Sequence, residues 1–376
     1  MAIAIFSCLK DFVFPLAFHI AVMYSIYENG YIFLCVGVIA MTIYDISEKA
    51  GVSIATVSRV LNGSTNVKPK TKKRVMDVIE EYGYTPNAFA RGLGLNTMNT
   101  IGILCADSSD LYLAKAVYYI EQYLRENGYN SILCCTGYEL ENKKASLDLL
   151  LSKRVDSVIM VGSNFISNES DNNKYIRDAS SQVPIMLLNA DFDYPNIYCT
   201  LCDDYKAMFE VTQALLNTSL NKILYLYNSQ SYSGLKKLSG YQTAMLQKDL
   251  QFQKDYMQFY QGERENIEAI ADFLEELVAN GLDFNAVIAS DDILAMGAMK
   301  YSKRQKLSVP NDFAIIGYNN SLLTSCCEPP LTSVDNRLQT LCSQLVKTLM
   351  GVLSGSEMPQ KVIFSGELVK RGTTNF

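Results

Sequence analysis

The chain has one histidine in 376 residues, His19, and it lies in the apolar segment 1–40. A histidine-dependent catalytic triad and a histidine metal site are therefore excluded from the rest of the chain. The sequence also lacks a Gly-rich phosphate loop and carboxylates at catalytic motif spacing, which argues against a sugar-processing enzyme. We expect a protein that is not an enzyme and that needs no cofactor or metal.

The ten cysteines form no metal-binding pattern. Cys199 and Cys202 make a lone CxxC with no second pair, so a zinc site is not expected there. Cys105, Cys134 and Cys135 lie in apolar, strand-like runs, where a cysteine usually acts as a small buried hydrophobe. This usage favours a reducing compartment, and we expect a cytoplasmic protein.

Hydrophobic runs long enough to span a membrane are also missing, even in the apolar segment 1–40. Its two runs, 12–27 and 31–40, have 16 and 10 residues, whereas a membrane span takes about 20. No basic region precedes the first run, since Lys10 stands beside Asp11, so a signal peptide is disfavoured. We interpret segment 1–40 as an upstream extension that is not native, with a membrane anchor on a sugar-binding protein as the alternative.

Charge is distributed unevenly along the chain. Residues 41–96 carry eight Lys and Arg against five Asp and Glu, whereas residues 97–376 carry 24 against 32. A basic module on an acidic protein directs that module towards nucleic acid. Lys72 is the expected phosphate contact, although a solvated surface would explain the same cluster of cations. The cluster comprises Lys68, Lys70, Lys72, Lys73 and Arg74.

Residues 42–63 predict two short helices joined by a tight turn. Thr42 and Asp45 have capping-box spacing, Gly51 ends the first helix and Ser53 is placed to cap the second. An ordinary helical hairpin would show the same pattern. The second helix nevertheless has a small, polar and singly basic outer face that suits the major groove of DNA. That face comprises Ile54, Ala55, Thr56, Ser58 and Arg59.

The run Ala55-Thr56-Val57-Ser58-Arg59, the segment 66–71 and the segment 84–93 together resemble the lactose and galactose repressor (LacI/GalR) family. The DNA-binding part looks especially like that of the catabolite control proteins. The resemblance implies a helix-turn-helix domain over residues 41–86 and a hinge over 87–98. It also implies a homodimer that binds a pseudo-palindromic operator, with hinge helices in the minor groove. The implied DNA-binding residues are Thr42, Ser53, Ile54, Ala55, Thr56, Ser58, Arg59, Asn62, Lys72, Asn87, Ala90 and Leu93.

From residue 99 onward, apolar strand-like runs alternate with helical patterns, which predicts an α/β protein with parallel βαβ units. The resemblance implies a periplasmic-binding-protein-like body of two doubly wound lobes. We expect the first lobe at about 99–200 and 331–355, and the second at about 201–328 and 356–376. The expected strands are 101–106, 131–135, 156–162, 184–189, 222–227, 256–260, 286–289 and 314–317.

Ligands of open α/β sheets bind beyond the carboxyl ends of the strands. Short polar groups with one cation follow several predicted strands, which suits a sugar effector. Lys237, Ser290 and Asn319 depart from the sugar-binding pattern of the family, in which arginine, asparagine and aspartate are common at these positions. Lysine cannot form arginine's planar fork, so an effector other than a plain hexose, or no effector, is the alternative. Alternatively, Lys237 and Asp291 pair with each other or cap helices. The expected effector-binding residues are Asp110, Tyr112, Asn189, Lys237, Ser290, Asp291 and Asn319.

These features predict a transcriptional regulator, expected to repress carbohydrate-related genes, whose DNA affinity a small molecule controls. A catabolite-control-type regulator with a phosphoprotein co-effector is the first alternative. A membrane-anchored sugar-binding protein is the second, but it would have no use for residues 42–93.

Overall fold

The computed structural model describes the backbone of residues 21–28 and 31–38, then residues 41–61, 63–84, 97–220, 222–248 and 254–376. The chain divides into two compact units, 1–98 and 99–376. Strands β1 (Ala21–Glu28) and β2 (Tyr31–Val38) pair antiparallel in the first unit. Among the described residues, no helix has both the length and the apolar character needed to cross a bilayer.

Residues 41–84 form three helices, α1 (Ile43–Ala50), α2 (Ile54–Leu61) and α3 (Pro69–Glu81). The capping box is present at the start of α1, where the backbone N–H of Thr42 donates to Asp45 at 2.7 Å and that of Asp45 to Thr42 Oγ1 at 3.4 Å. Gly51 ends α1 in the left-handed conformation, with φ 60°. Their small core comprises Ile46, Ala50, Val57, Val60 and Val75.

The first lobe of the second unit is a parallel sheet in the order β13-β7-β6-β5-β3-β4. Its inner strands β3, β5, β6 and β7 are almost wholly apolar and buried, because helices cover both faces. The edge strands β4 and β13 are partly exposed. Its helices are α4 (Leu111–Glu126), α5 (Leu140–Ser152), α6 (Lys174–Ser180) and α12 (Leu338–Leu353). Its strands are β3 (Thr100–Cys105), β4 (Asn130–Cys135), β5 (Ser157–Val161), β6 (Ile185–Leu188), β7 (Ile197–Cys202) and β13 (Lys361–Phe364).

The second lobe has the sheet order β14-β12-β11-β10-β8-β9, parallel except for the pair β12 and β14. Its helices are α7 (Asp204–Leu216), α8 (Tyr232–Leu246), α9 (Ile267–Ala279), α10 (Asp292–Arg304) and α11 (Leu323–Cys326). Its strands are β8 (Ile223–Tyr227), β9 (Met257–Phe259), β10 (Ala286–Ala289), β11 (Ala314–Tyr318), β12 (Thr332–Asp335) and β14 (Glu367–Val369). The predicted α/β architecture of two parallel-sheet lobes is confirmed.

Two expected lobe boundaries are wrong. Strand β12 lies in the second-lobe sheet beside β11, although residues from 331 were expected in the first lobe. Strand β13 pairs with β7 in the first lobe, although residues from 356 were expected in the second. Both strands are short and follow no clear period, so their place depends on long-range pairing that local sequence does not encode.

The cysteines of the CxxC lie in different hydrophobic cores. Cys199 is buried among residues of one face of the first-lobe sheet and Cys202 among those of the other, since residues three apart in a strand point to opposite faces. Burial raises the pKa of the Cys199 thiol to about 11. Cys105 is buried as expected, but Cys135 is exposed because β4 is an edge strand. No group of three or more potential metal ligands occurs among the described residues.

Candidate functional site

The outer face of α2 presents small and polar side chains, as the sequence predicts. Ser53, Ile54, Ala55 and Arg59 are exposed, while Thr56 and Ser58 are half-buried. The hydroxyl of Ser53 lies 2.9 Å from that of Thr56 and accepts from the Thr56 backbone N–H at 3.3 Å. This local bonding fixes the start of the helix and leaves its face accessible.

The cations near α2 differ in their surroundings. The side chains of Arg59 and Lys72 are exposed and form no ion pair among the described residues. By contrast, Arg74 donates to the carbonyl of Gly51 at 3.5 Å, at the end of α1. Arg59 and Lys72 can therefore turn towards phosphate or base edges, whereas Arg74 also supports the turn. The remaining predicted DNA contacts, Asn62, Asn87, Ala90 and Leu93, lie outside the described residues.

A cavity of about 110 Å³ lies between the two lobes of the second unit. Loops from the carboxyl ends of strands in both sheets form its walls, as expected for an open α/β fold. The residues that the sequence singles out converge on it, although they are spread over more than 200 positions. Those residues are Asp110, Tyr112, Asn189, Lys237, Ser290, Asp291 and Asn319.

Two helix-capping carboxylates face each other across the cavity. Asp110 caps α4 by accepting from the backbone N–H of Leu113 at 2.9 Å, and Asp291 caps α10 by accepting from that of Leu294 at 2.8 Å. Each uses its Oδ1 for the cap, which leaves Oδ2 directed at Arg264. Arg264 forms an ion pair with Asp110 of the first lobe and lies 3.3 Å from Asp291 of the second. Its planar guanidinium therefore bridges the cleft.

Lys237 is buried on α8 and points to the floor of the cavity. Its ammonium donates to the carbonyl of Ser290 at 3.0 Å and lies 3.8 Å from the centre of the Tyr318 ring. Burial lowers the pKa of Lys237, while the nearby carboxylate of Asp204 acts against this shift. Of the two alternatives for these residues, the cap is present at Asp291, but no ion pair joins Lys237 to Asp291 among the described residues.

Asp204, at the start of α7, is a buried carboxyl beneath the cavity. It accepts from Tyr318 Oη and from Ser233 Oγ, both at 2.5 Å. Burial raises its pKa, and the charge of Lys237 together with these hydrogen bonds acts in the opposite direction. The floor of the cavity is thus a connected polar network with one cation and one carboxyl.

Asn189 and Asn319 lie in left-handed backbone conformations, with φ 59° and 91°. The side chain of Asn189 accepts from the backbone N–H of Cys202 at 3.1 Å, and that of Asn319 accepts from Asn336 at 3.0 Å. Asparagine tolerates this region better than other non-glycine residues. These bonds hold both amides at the cavity wall.

Three buried polar atoms of the cavity wall have no hydrogen-bond partner among the described residues. They are the hydroxyl of Tyr112, the amide nitrogen of Asn164 and Nε of Arg264. Buried polar atoms are nearly always bonded, because leaving one unpaired costs about 1 to 3 kcal/mol. A polar ligand bound in this cavity can pair with all three atoms.

Sequence reasoning missed several wall residues, above all Arg264. Arg264 follows the three-residue strand β9, and the rule that loops after strands carry the site would have identified it. The same rule would have identified wall residues in the loops after β4, β5 and β8, which the sequence analysis also missed. These further wall residues are Tyr138, Ser163, Asn164, Asn228, Ser229, Ser231 and Ser233.

Comparisons with known proteins agree with this architecture. Residues 42–87 match the model of the bacterial regulatory proteins of the lacI family, and residues 212–374 match the periplasmic binding protein-like domain. A helix-turn-helix-type transcriptional regulator of Lachnoclostridium phytofermentans is 54% identical over 336 residues, which cover 89% of this chain and all of that protein. Catabolite control protein A of Priestia megaterium is 33% identical, over 78% of this chain and 87% of its own length.

Solved structures show the same fold. The lac repressor dimer bound to operator and the anti-inducer ONPF has a TM-score of 0.77 at 23% identity, covering 89% of this chain and 99% of that one. A complex of the transcriptional regulator CelR with cellobiose has a TM-score of 0.64 at 23% identity and the same coverage. At these identities the likeness establishes the fold alone.

Proposed function

Because the chain belongs to the LacI family of bacterial regulatory proteins and is a DNA-binding transcriptional regulator rather than an enzyme, we propose that it represses carbohydrate-related genes in the cytoplasm. It binds a pseudo-palindromic operator as a homodimer. A neutral sugar enters the cleft between the lobes and controls the affinity for that operator.

The outer face of α2 supports the DNA-binding half of the proposal. Its small side chains allow close approach to base edges, and Arg59 is the one long cation among the described residues of that helix. A bidentate arginine on guanine is the commonest specific contact in the major groove. Lys72, on α3, binds phosphate and adds affinity without adding sequence preference.

The charges around the cavity support a neutral ligand. Arg264 is matched by Asp110 and Asp291, and Lys237 by Asp204 and the Ser290 carbonyl. Among the described wall residues of this cavity, both cations therefore already lie near an anion, and neither is left unmatched to bind a phosphate group. A sugar hydroxyl can donate to a carboxylate and accept from an amide or an arginine, which fits the mixed donors and acceptors of this wall.

The convergence of seven separately predicted residues and three unpartnered polar atoms on one cavity carries this proposal. To test it, the operator is first selected from random DNA with the full chain. Neutral sugars and sugar phosphates are then screened by thermal shift and by their effect on operator affinity. A ligand at about 100 times its Kd adds about 2.7 kcal/mol of stability. We expect a neutral sugar to raise the melting temperature and to change the operator affinity. A response to sugar phosphates alone would contradict the proposal.

A catabolite-control-type regulator is the second candidate, and the 33% identity to catabolite control protein A favours it. In that case a phosphoprotein acts as co-effector. Adding an extract of the source cells, with and without phosphatase treatment, to the operator titration separates the two. Phosphatase-sensitive enhancement of binding supports the co-effector, and equal binding with both extracts excludes it.

A further inference from the structure

A second and larger cavity adjoins the cavity between the lobes. Its volume is about 440 Å³. We call this second cavity the outer cavity and the one that contains Asp110 and Asp291 the inner cavity. Ligand pockets commonly measure about 300 to 1,000 Å³. The outer cavity falls in that range, whereas the inner cavity, at about 110 Å³, does not. A ligand confined to the inner cavity would leave most of the combined volume of the two cavities unused.

The two cavities are continuous. Residues from both lobes line both of them, and hydroxyls of the two lobes meet at the shared wall. Ser163 of the first lobe donates to Ser231 of the second at 2.8 Å, and Ser231 lies 2.9 Å from Ser229. The shared wall residues are Tyr138, Asn164, Asn228, Ser229 and Ser231.

The walls of the outer cavity combine apolar and polar groups. Phe165 and Ile166 form an apolar side, and Phe165 is fully buried. Lys143 supplies a polar group to the same cavity. It is a buried lysine whose ammonium donates to the carbonyl of Asn164 at 2.7 Å and retains two further N–H groups. The unpartnered amide nitrogen of Asn164 lies at the boundary of the two cavities. A sugar ring, apolar on its C–H faces and polar at its edges, matches such walls.

We propose that the outer cavity is a second sugar subsite, so that the effector is an oligosaccharide of at least two units rather than a monosaccharide. One unit occupies the inner cavity, between Asp110 and Asp291, and the next lies against Phe165 and Lys143. This inference depends on the proposed sugar effector and specifies its chemical class.

The test compares chain lengths on the full protein by calorimetry. The probes are glucose with cellobiose and cellotriose, glucose with maltose and maltotriose, galactose with lactose, and xylose with xylobiose. We expect at least one disaccharide to bind about tenfold tighter than its monosaccharides, which equals about 1.4 kcal/mol. Equal binding of monosaccharides and disaccharides in every series would overturn the outer subsite and leave the sugar effector standing. Failure of every sugar to bind would overturn the proposed effector and this inference with it.

Two pairs of variants locate the gain. Lys143→Met keeps most of the buried stem but removes the donors, and Lys144→Met is its control, since Lys144 is the exposed neighbour paired with Glu141. Gln230→Trp narrows the outer cavity from an exposed position, with Gln230→Ala as control. We expect Lys143→Met and Gln230→Trp to abolish the disaccharide gain without altering monosaccharide or operator affinity. An equal loss for monosaccharide and disaccharide would contradict the assignment.

Discussion

The outer face of α2 and the cleft between the lobes are both polar, yet they are built in opposite ways. On α2 all the recognition groups lie within seven residues, and local caps hold them in place. In the cleft the groups come from loops far apart in sequence. Around the cavity of about 110 Å³, Arg264 is paired with Asp110 and Asp291, and Lys237 lies near Asp204. The difference shows how charge is matched to the ligand. An accessible cation suits a phosphate polymer, whereas a charge-balanced wall suits a neutral polyol.

The most severe test of this comparison is Lys237→Ala. The substitution removes the buried cation whose charge stabilises the ionised form of Asp204, and with it the donor to the Ser290 carbonyl. Removing one of two interacting buried charges costs up to about 3 to 5 kcal/mol, the value for a direct ion pair. We expect the free energy of unfolding of the second unit to fall by about this amount. The effector response should be lost, and operator affinity should be retained at 20 °C.

Chemical denaturation and operator titration with and without sugar measure both effects. Lys236→Ala is the matched control, because Lys236 is the exposed neighbour on the same helix. If Lys237→Ala left the effector response intact, the cleft would not depend on its buried cation.

A second test contrasts the two cations of the DNA-binding unit. Arg59→Ala should weaken operator binding by about 1 to 3 kcal/mol and flatten discrimination at one base pair, since it removes a base contact. Lys72→Ala should weaken all sequences alike and lower the salt slope by about one. Titrations of operator and random DNA at several salt concentrations distinguish the two. Identical behaviour of the two variants would show that the assignment of Arg59 to a base and of Lys72 to a phosphate is wrong.

The same contrast explains how much the sequence predicts. The first unit follows from short-range signals, because the Thr42–Asp45 box, Gly51 and Ser53 act within a few residues of themselves. Strand β13 and the loop of Arg264 are different. Each is placed by partners more than 100 residues away, such as β7 for β13 and Asp110 for Arg264. Spacing rules therefore predict which loops face the cleft but not the ion pair that bridges it.

A third test removes that bridge. Arg264→Met leaves Asp110 and Asp291 facing each other without the cation between them, and the two carboxylates then repel across the cleft. The guanidinium is 41% exposed, so solvent screens part of this effect. We expect the sugar to bind about tenfold more weakly, which equals about 1.4 kcal/mol. Calorimetry checks this, with Arg125→Met as control because Arg125 pairs only with its helix neighbours on the surface. Unchanged or tighter binding would contradict a bridging role.

The final comparison is between the responses of the two units to acid, because a carboxyl in each has its pKa shifted in the opposite direction. In the second unit, Asp292 accepts from Ser333 Oγ and from the backbone N–H of Ser321, both at 2.6 Å. Burial nevertheless raises its pKa from 3.8 to about 6. In the first unit, the hydrogen bonds with Thr42 lower the pKa of Asp45.

These shifts have opposite consequences for stability. A raised carboxyl pKa means that the folded state binds the proton more tightly, so stability is lost as the pH rises through the folded pKa. For Asp292 this amounts to about 1 kcal/mol between pH 5 and pH 6. A lowered pKa acts in reverse, so the contribution of Asp45 is present above the unfolded pKa and is lost as the pH falls through the folded one. Acid therefore favours the second unit through Asp292 and disfavours the first through Asp45.

Hydrogen exchange read by mass spectrometry follows both units in the full chain. Between pH 6 and pH 5, after correction for the intrinsic exchange rate, we expect protection of β10 to β12 to increase. Asp292→Asn should abolish most of this increase, because the amide does not titrate. Thr42→Ala should make α1 less sensitive to acid below pH 4, since the hydroxyl that lowers the pKa of Asp45 is gone. A pH response of β10 to β12 that is the same in Asp292→Asn as in the wild type would assign it to another carboxyl, and the contrast between the two units would then not depend on this pair.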